Sequence, residues 1–203
     1  MKRLILVSIG LFFLCHFVDN LQAQTKITRF DIAQTLSQTP QFYEGYFYGF
    51  IKNQGLSKMN LNGQFVWQKG AEDIQSGQLF FKFDRIFVLQ ETGELQVYHA
   101  KFGFKVWSAH NKNIKAFNIS YPYIYFITHD NSVGCLGFDT GAVVWTKTGM
   151  QLKQFWTKRN QERLFGVSKR HRMVHIKKFS GETDYVKTKY PIRNILEIGR
   201  AHV

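Results

Sequence analysis

Four times along the chain a glycine is followed, four residues on, by tryptophan or tyrosine: GQFVW from Gly63 to Trp67, GFKVW from Gly103 to Trp107, GAVVW from Gly141 to Trp145 and GETDY from Gly181 to Tyr185. Successive glycines lie 40, 38 and 40 residues apart. So even a recurrence constrains the fold more than any single motif, because it asks for one supersecondary unit per period, each stacked on its neighbours.

The interior of a period says what that unit is. After Arg85 the chain reads RIFVLQ, the turn ETG, ELQVYHA, and then FKVWSAH beyond Gly103; the next period gives YIYFITH, DNS, VGCLGF and AVVWTKT. These are three short strands joined by tight turns. A further strand fits between one tryptophan strand and the next, as IKAFNIS at 114–120 or LKQFWTK from Leu152. Four antiparallel strands in about 40 residues match a β-propeller blade, with the glycine turning the chain and the tryptophan filling space between blades. A composition of 16% aromatic residues, 20 of them Phe, with only 3 Pro, suits such strands. The predicted fold is all-β, about four four-stranded blades of an incomplete propeller over 41–196; a β-sandwich is the competing arrangement for short, evenly spaced strands.

The two ends read differently. Lys2 and Arg3 precede an apolar run from Leu4 to Cys15, and a more polar stretch ends at Leu21-Gln22-Ala23. That tripartite order predicts a secretory signal peptide over 1–23, the apolar run being shorter than the roughly 20 residues a membrane-spanning helix needs. Residues 24–40 form a leader whose ITRFDIA stretch is a candidate ring-closing strand. Ile198 to Val203 is one reading frame of a common sequencing adapter, ATC GGA AGA GCA CAC GTC, and the adapter's preceding AG completes a GAG codon for Glu197. The expectation is that 197–203 derive from the adapter and that the native chain continues through further repeats.

The stretch VYHAKFGFKVW from Val97 to Trp107 resembles the pyrroloquinoline-quinone (PQQ) type propeller repeat, with Gly103 and Trp107 carrying the match, Lys105 one place late, and His99 where that family has aspartate. Asp139, Thr140, Gly141 and Trp145 fit it in the third repeat; the fourth keeps Ser180 and Gly181 but places Tyr185 in the tryptophan position. The resemblance implies a ring of seven or eight blades in a complete member. It implies no particular activity, since many such propellers bind no quinone.

Chemistry-bearing clusters are sparse. Past the leader, Cys135 is the lone cysteine and sits in a predicted strand, which excludes a disulfide framework and reads as a structural thiol. His171 and His175 are close in sequence but have no acidic or cysteine neighbours to complete a metal site, so no metal or catalytic residue is assigned. Net charge is +13, and +12 when Lys2, Arg3, Arg200, Asp19 and Glu197 are set aside with the two ends. Much of it lies in the fourth repeat, where Lys169, Arg170, Arg172, Lys177 and Lys178 form a candidate anion-binding patch; a solvated strand edge protected by lysine is the alternative.

These features together predict a non-catalytic secreted or periplasmic (or extracellular) propeller that binds protein as a scaffold, with weak polyanion or anionic membrane-surface contact through the basic patch. No cofactor, specific nucleic-acid partner or transmembrane span in the mature part is expected. The resemblance leaves two alternatives: a quinoprotein dehydrogenase using PQQ and calcium, and the lumenal sensor domain of a eukaryotic stress receptor.

Overall fold

The computed structural model describes residues 36–186, apart from 71–73, 75, 110–112, 158–160 and 171. The signal-peptide, ring-closing and adapter readings, with His110 and His171, lie outside the described residues.

Among the described residues sixteen strands form four sheets, each antiparallel and each ordered as in the sequence. Blade 1 comprises β1 (Gln41–Tyr43), β2 (Tyr46–Ile51), β3 (Gly55–Met59) and β4 (Phe65–Gln68). Blade 2 comprises β5 (Gln78–Lys82), β6 (Arg85–Leu89), β7 (Leu95–His99) and β8 (Lys105–Ala109). Blade 3 comprises β9 (Ile114–Ser120), β10 (Tyr123–Thr128), β11 (Val133–Gly137) and β12 (Val143–Lys147). Blade 4 comprises β13 (Leu152–Thr157), β14 (Arg163–Ser168), β15 (Met173–Lys177) and β16 (Thr183–Val186). The expected strand beginning at Ile114 opens blade 3, and the one beginning at Leu152 opens blade 4. Leu36, at the end of the leader, makes an isolated antiparallel bridge to Ile51.

The core lies between blades rather than within them. The second and third strands of a blade are buried on both faces, so RIFVL and LQVYH are nearly continuous apolar runs instead of alternating ones. Ile86 and Val88 point back to Tyr48, Phe50 and Leu56 of blade 1, whereas Phe87 and Leu89 point forward to Ile124, Phe126 and Leu136 of blade 3. Tyr125, Ile127 and Cys135 of blade 3 meet Leu164, Val174 and Ile176 of blade 4.

The glycine–tryptophan motif is the clasp of each junction. Trp67 Nε1 donates to the Ala100 carbonyl at 3.2 Å, Trp107 Nε1 to Phe138 at 2.9 Å and Trp145 Nε1 to Lys178 at 2.7 Å, in each case reaching the following blade. Each indole also lies on the next blade's motif glycine: a Cβ at Gly103 would stand 2.6 Å from the Trp67 ring, at Gly141 2.6 Å from Trp107 and at Gly181 2.8 Å from Trp145. These glycines have φ of +73°, +67° and +69°. They serve the turn, as expected from sequence, and also leave room for the preceding blade's ring. The turns interlock as well, since Ala100, Phe138 and Lys178 donate their N–H groups to Asp84, Pro122 and Glu162, all at 2.8 or 2.9 Å.

Candidate interaction surface

Antiparallel order sends the first and third turns of every blade to one end of the molecule and the second turn to the other. The two ends differ in chemistry. The second-turn end is polar, with tips such as Lys52-Asn53, Glu91-Thr92, Asp130-Asn131 and Lys169-Arg170. The opposite end exposes Leu61, Phe83, Phe102, Phe104, Tyr121 and Phe179.

Those rings are organised across blade junctions. Phe83, at the first turn of blade 2, is 57% exposed and lies 5.7 Å from the Tyr121 ring at the first turn of blade 3; both meet the buried Phe138, at 5.9 and 5.4 Å. Phe102 and Phe104 flank the His99 imidazole at 4.9 and 5.1 Å. Phe179 of blade 4 packs edge-on to Tyr123 of blade 3. Phe83 and Asp84 form a two-residue hairpin loop with φ of +48° and +55°, the pattern of a type I′ turn, which favours Asn and Gly. A bulky aromatic in left-handed backbone is an outlier whose cost the turn itself does not repay.

The charge at this end is positive around the blade 2 tips. Lys82 and Arg85 sit directly opposite one another in the β5–β6 ladder, an unfavourable like-charge pairing. Lys82 Nζ lies 5.4 Å from the Phe83 ring centre and Lys101 Nζ 5.2 Å from that of Phe102. The ion pairs among the described residues, Arg163–Asp184 and Lys177–Glu182, both belong to blade 4, and the Nε of Arg85 is buried with no hydrogen-bond partner among those residues. His99 accepts a hydrogen bond at Nδ1 from the Lys101 N–H at 3.2 Å. Burial, then the nearby Arg85 and Lys101, hold its pKa below the ordinary histidine value against the opposing pull of Asp84. In blade 1 the buried Lys58 donates to the Ala100 carbonyl at 3.3 Å with its Nζ 3.8 Å from the Tyr46 ring centre, so it is a strut of the junction.

The basic residues singled out in the fourth repeat do not form one patch. Lys169 and Arg170 occupy the β14–β15 turn and Arg172 follows it, while Lys177 and Lys178 lie at the far end of β15, about 15 Å away at 3.3 Å per residue. Arg172 covers the Tyr185 ring at 4.8 Å. Lys177 pairs with Glu182 at 2.5 Å. Lys178 is buried, which lowers its pKa, and donates to Ser120 Oγ of blade 3 at 3.3 Å. His175, on β15, packs edge-on to Phe165.

A cleft of about 650 Å³ opens by the first strands of blades 1 to 3, lined by Gln41, Gln78, Phe80, Lys115 and His129 among others. Phe80 and Phe117 meet edge to face beside it at 4.8 Å. Among the described residues no three His, Cys, Asp or Glu side chains are grouped so as to hold a metal ion. No helix among them is long and apolar enough to cross a membrane.

No protein-family model and no curated protein matches the sequence. Solved structures do. BamB from Moraxella catarrhalis is similar at 16% identity with a TM-score of 0.56, covering 73% of this chain and 48% of its own. Quinohemoprotein alcohol dehydrogenase from Comamonas testosteroni is similar at 8% identity and a TM-score of 0.53, covering 77% of this chain and 35% of its own. The computationally designed Ika4 protein is similar at 14% identity and 0.52, covering 75% of this chain and 96% of its own. The chain thus spans about half the length of BamB. At these identities the likeness establishes fold alone: four blades of a β-propeller of the kind shared by BamB and quinohemoprotein dehydrogenases.

Proposed function

We propose that this is a protein-binding propeller of the secretory pathway, periplasmic or extracellular, that acts as a scaffold through its aromatic end. The observation that carries the reading is the asymmetry of the two ends: exposed aromatic side chains gather where turns would ordinarily place Gly, Asn or Asp, and the opposite turns are polar. Exposed aromatics in a shaped array are what protein interfaces use as anchors. The tripartite N-terminal sequence supports the compartment, and the likeness to BamB supports a propeller in such a role. The quinone-dehydrogenase alternative has no comparable feature among the described residues.

The test is site-specific photo-crosslinking in the producing cell. A photoreactive side chain at Phe83 should give discrete adducts with another protein, whereas one at Thr92, at the opposite end of the same blade, should not. Equal or absent labelling from the two positions would overturn the assignment of the aromatic end.

A further inference from the structure

Resting on that reading, the geometry points to a partner class: we propose that the aromatic end over blades 2 and 3 docks an acidic protein segment bearing apolar anchor side chains. The apolar part of the site is the ring triad of Phe83, Tyr121 and Phe138, which bridges two blades and leaves two of its rings open to solvent. The charged part is Lys82, Arg85 and Lys101, which outnumber Asp84 around the same tips and make no ion pair among the described residues.

Three features choose this occupant. Lys82 and Arg85 face each other across the ladder, so an incoming carboxylate relieves a repulsion that the free protein bears. The Nε of Arg85 is buried with no hydrogen-bond acceptor among the described residues, so no hydrogen bond there offsets the charge that its guanidinium brings to these tips. The net charge of +12 over residues 24–196 draws acidic partners at long range and favours their association rate. A flat anionic lipid surface would span the whole end and meet Asp139 of blade 3 and Glu182 of blade 4 as well as Asp84, whereas a segment as narrow as one peptide strand can lie against Lys82, Arg85 and Lys101 with Asp84 alone beside it. The Phe83-Asp84 turn adds an independent sign of selection for something other than stability, since it holds a phenyl ring outward at a position made for asparagine.

The test selects random peptides displayed on phage against the full chain, with counter-selection on the Phe83→Ser/Tyr121→Ser variant. Enriched peptides should combine Asp or Glu with Leu, Ile or aromatic residues, and Lys82→Glu/Lys101→Glu should weaken them by about tenfold or more, with the loss reproduced by raised salt. Lys169→Ser, at the other end, should change nothing. Neutral or basic enriched peptides, no enrichment, or binding indifferent to the charge reversal would overturn the proposal. Binding instead to phosphatidylglycerol vesicles, lost in the same variants, would assign the site to lipid and overturn it too. Crosslinked protein adducts at Phe83 that persist with a non-acidic partner would leave the scaffold reading intact and remove only the partner class.

Discussion

Gly141 shows how little freedom a single position has in this molecule. Its φ of +67° suits glycine, and the Trp107 ring occupies the place where a Cβ would be. Gly141→Ala should therefore destabilise by about 2–4 kcal/mol, adding the cost of left-handed backbone to overpacking against a rigid ring. Trp107→Ala empties the same contact from the other side and should cost about 3–5 kcal/mol, measured as a shift in denaturant midpoint at constant slope. The double variant should lose less than the sum, because both changes break one clasp. Cys135 gives a second residue-scale readout. Its buried thiol is pushed up to about 12 by burial. A raised acid pKa means the fold prefers the neutral thiol, so this contribution is whole below the unfolded chain's value of about 8.5 and is lost as pH climbs toward the folded value. Stability should fall between about pH 8.5 and 10 in the native chain and less in Cys135→Val, and native protein should resist thiol alkylation at neutral pH. Rapid alkylation without unfolding would contradict the burial.

At the scale of strands and turns, the sequence was legible where geometry repeats. A period of about 40 residues, three visible strands and a turn-forming glycine specify a blade, because each follows from local backbone demands. The anion patch was less legible: five cations close in sequence are split by one strand, and Lys177 and Lys178 are engaged in an ion pair and a junction. Nor was the aromatic end singled out, although Phe83, Phe102 and Tyr121 stand in the sequence at turn positions; only the common direction of the first and third turns brings them together. Because the Phe83-Asp84 loop has the backbone of a type I′ turn, Phe83→Asn/Asp84→Gly should raise stability by about 1 kcal/mol while abolishing crosslinking from Tyr121. A double variant that lost stability would mean that the ring triad's packing outweighs the turn's strain, and would weaken the case that Phe83 is there for a partner.

Across the whole molecule the decisive property is that apolar clusters belong to junctions, so a blade has no core of its own and its stability is lent by its neighbours. Nearest-neighbour coupling of this kind makes energies additive over junctions that share no residues and cooperative within one. The blade 1–2 clasp, built from Trp67, Gly103 and the Ala100 carbonyl, and the blade 3–4 clasp, built from Trp145, Gly181 and the Lys178 carbonyl, have no residue in common. Gly103→Ala and Gly181→Ala combined should thus lose the sum of their separate costs within about 0.5 kcal/mol. Hydrogen exchange should show the same division: Gly103→Ala should speed exchange first in β2, β3, β6 and β7, whose side chains fill the blade 1–2 cluster, and leave β14 and β15 protected until the concentration of denaturant is raised. Uniform acceleration over all four blades would mean that they unfold as one unit, and that the junctions, despite their separate side-chain sets, are coupled along the whole row of blades.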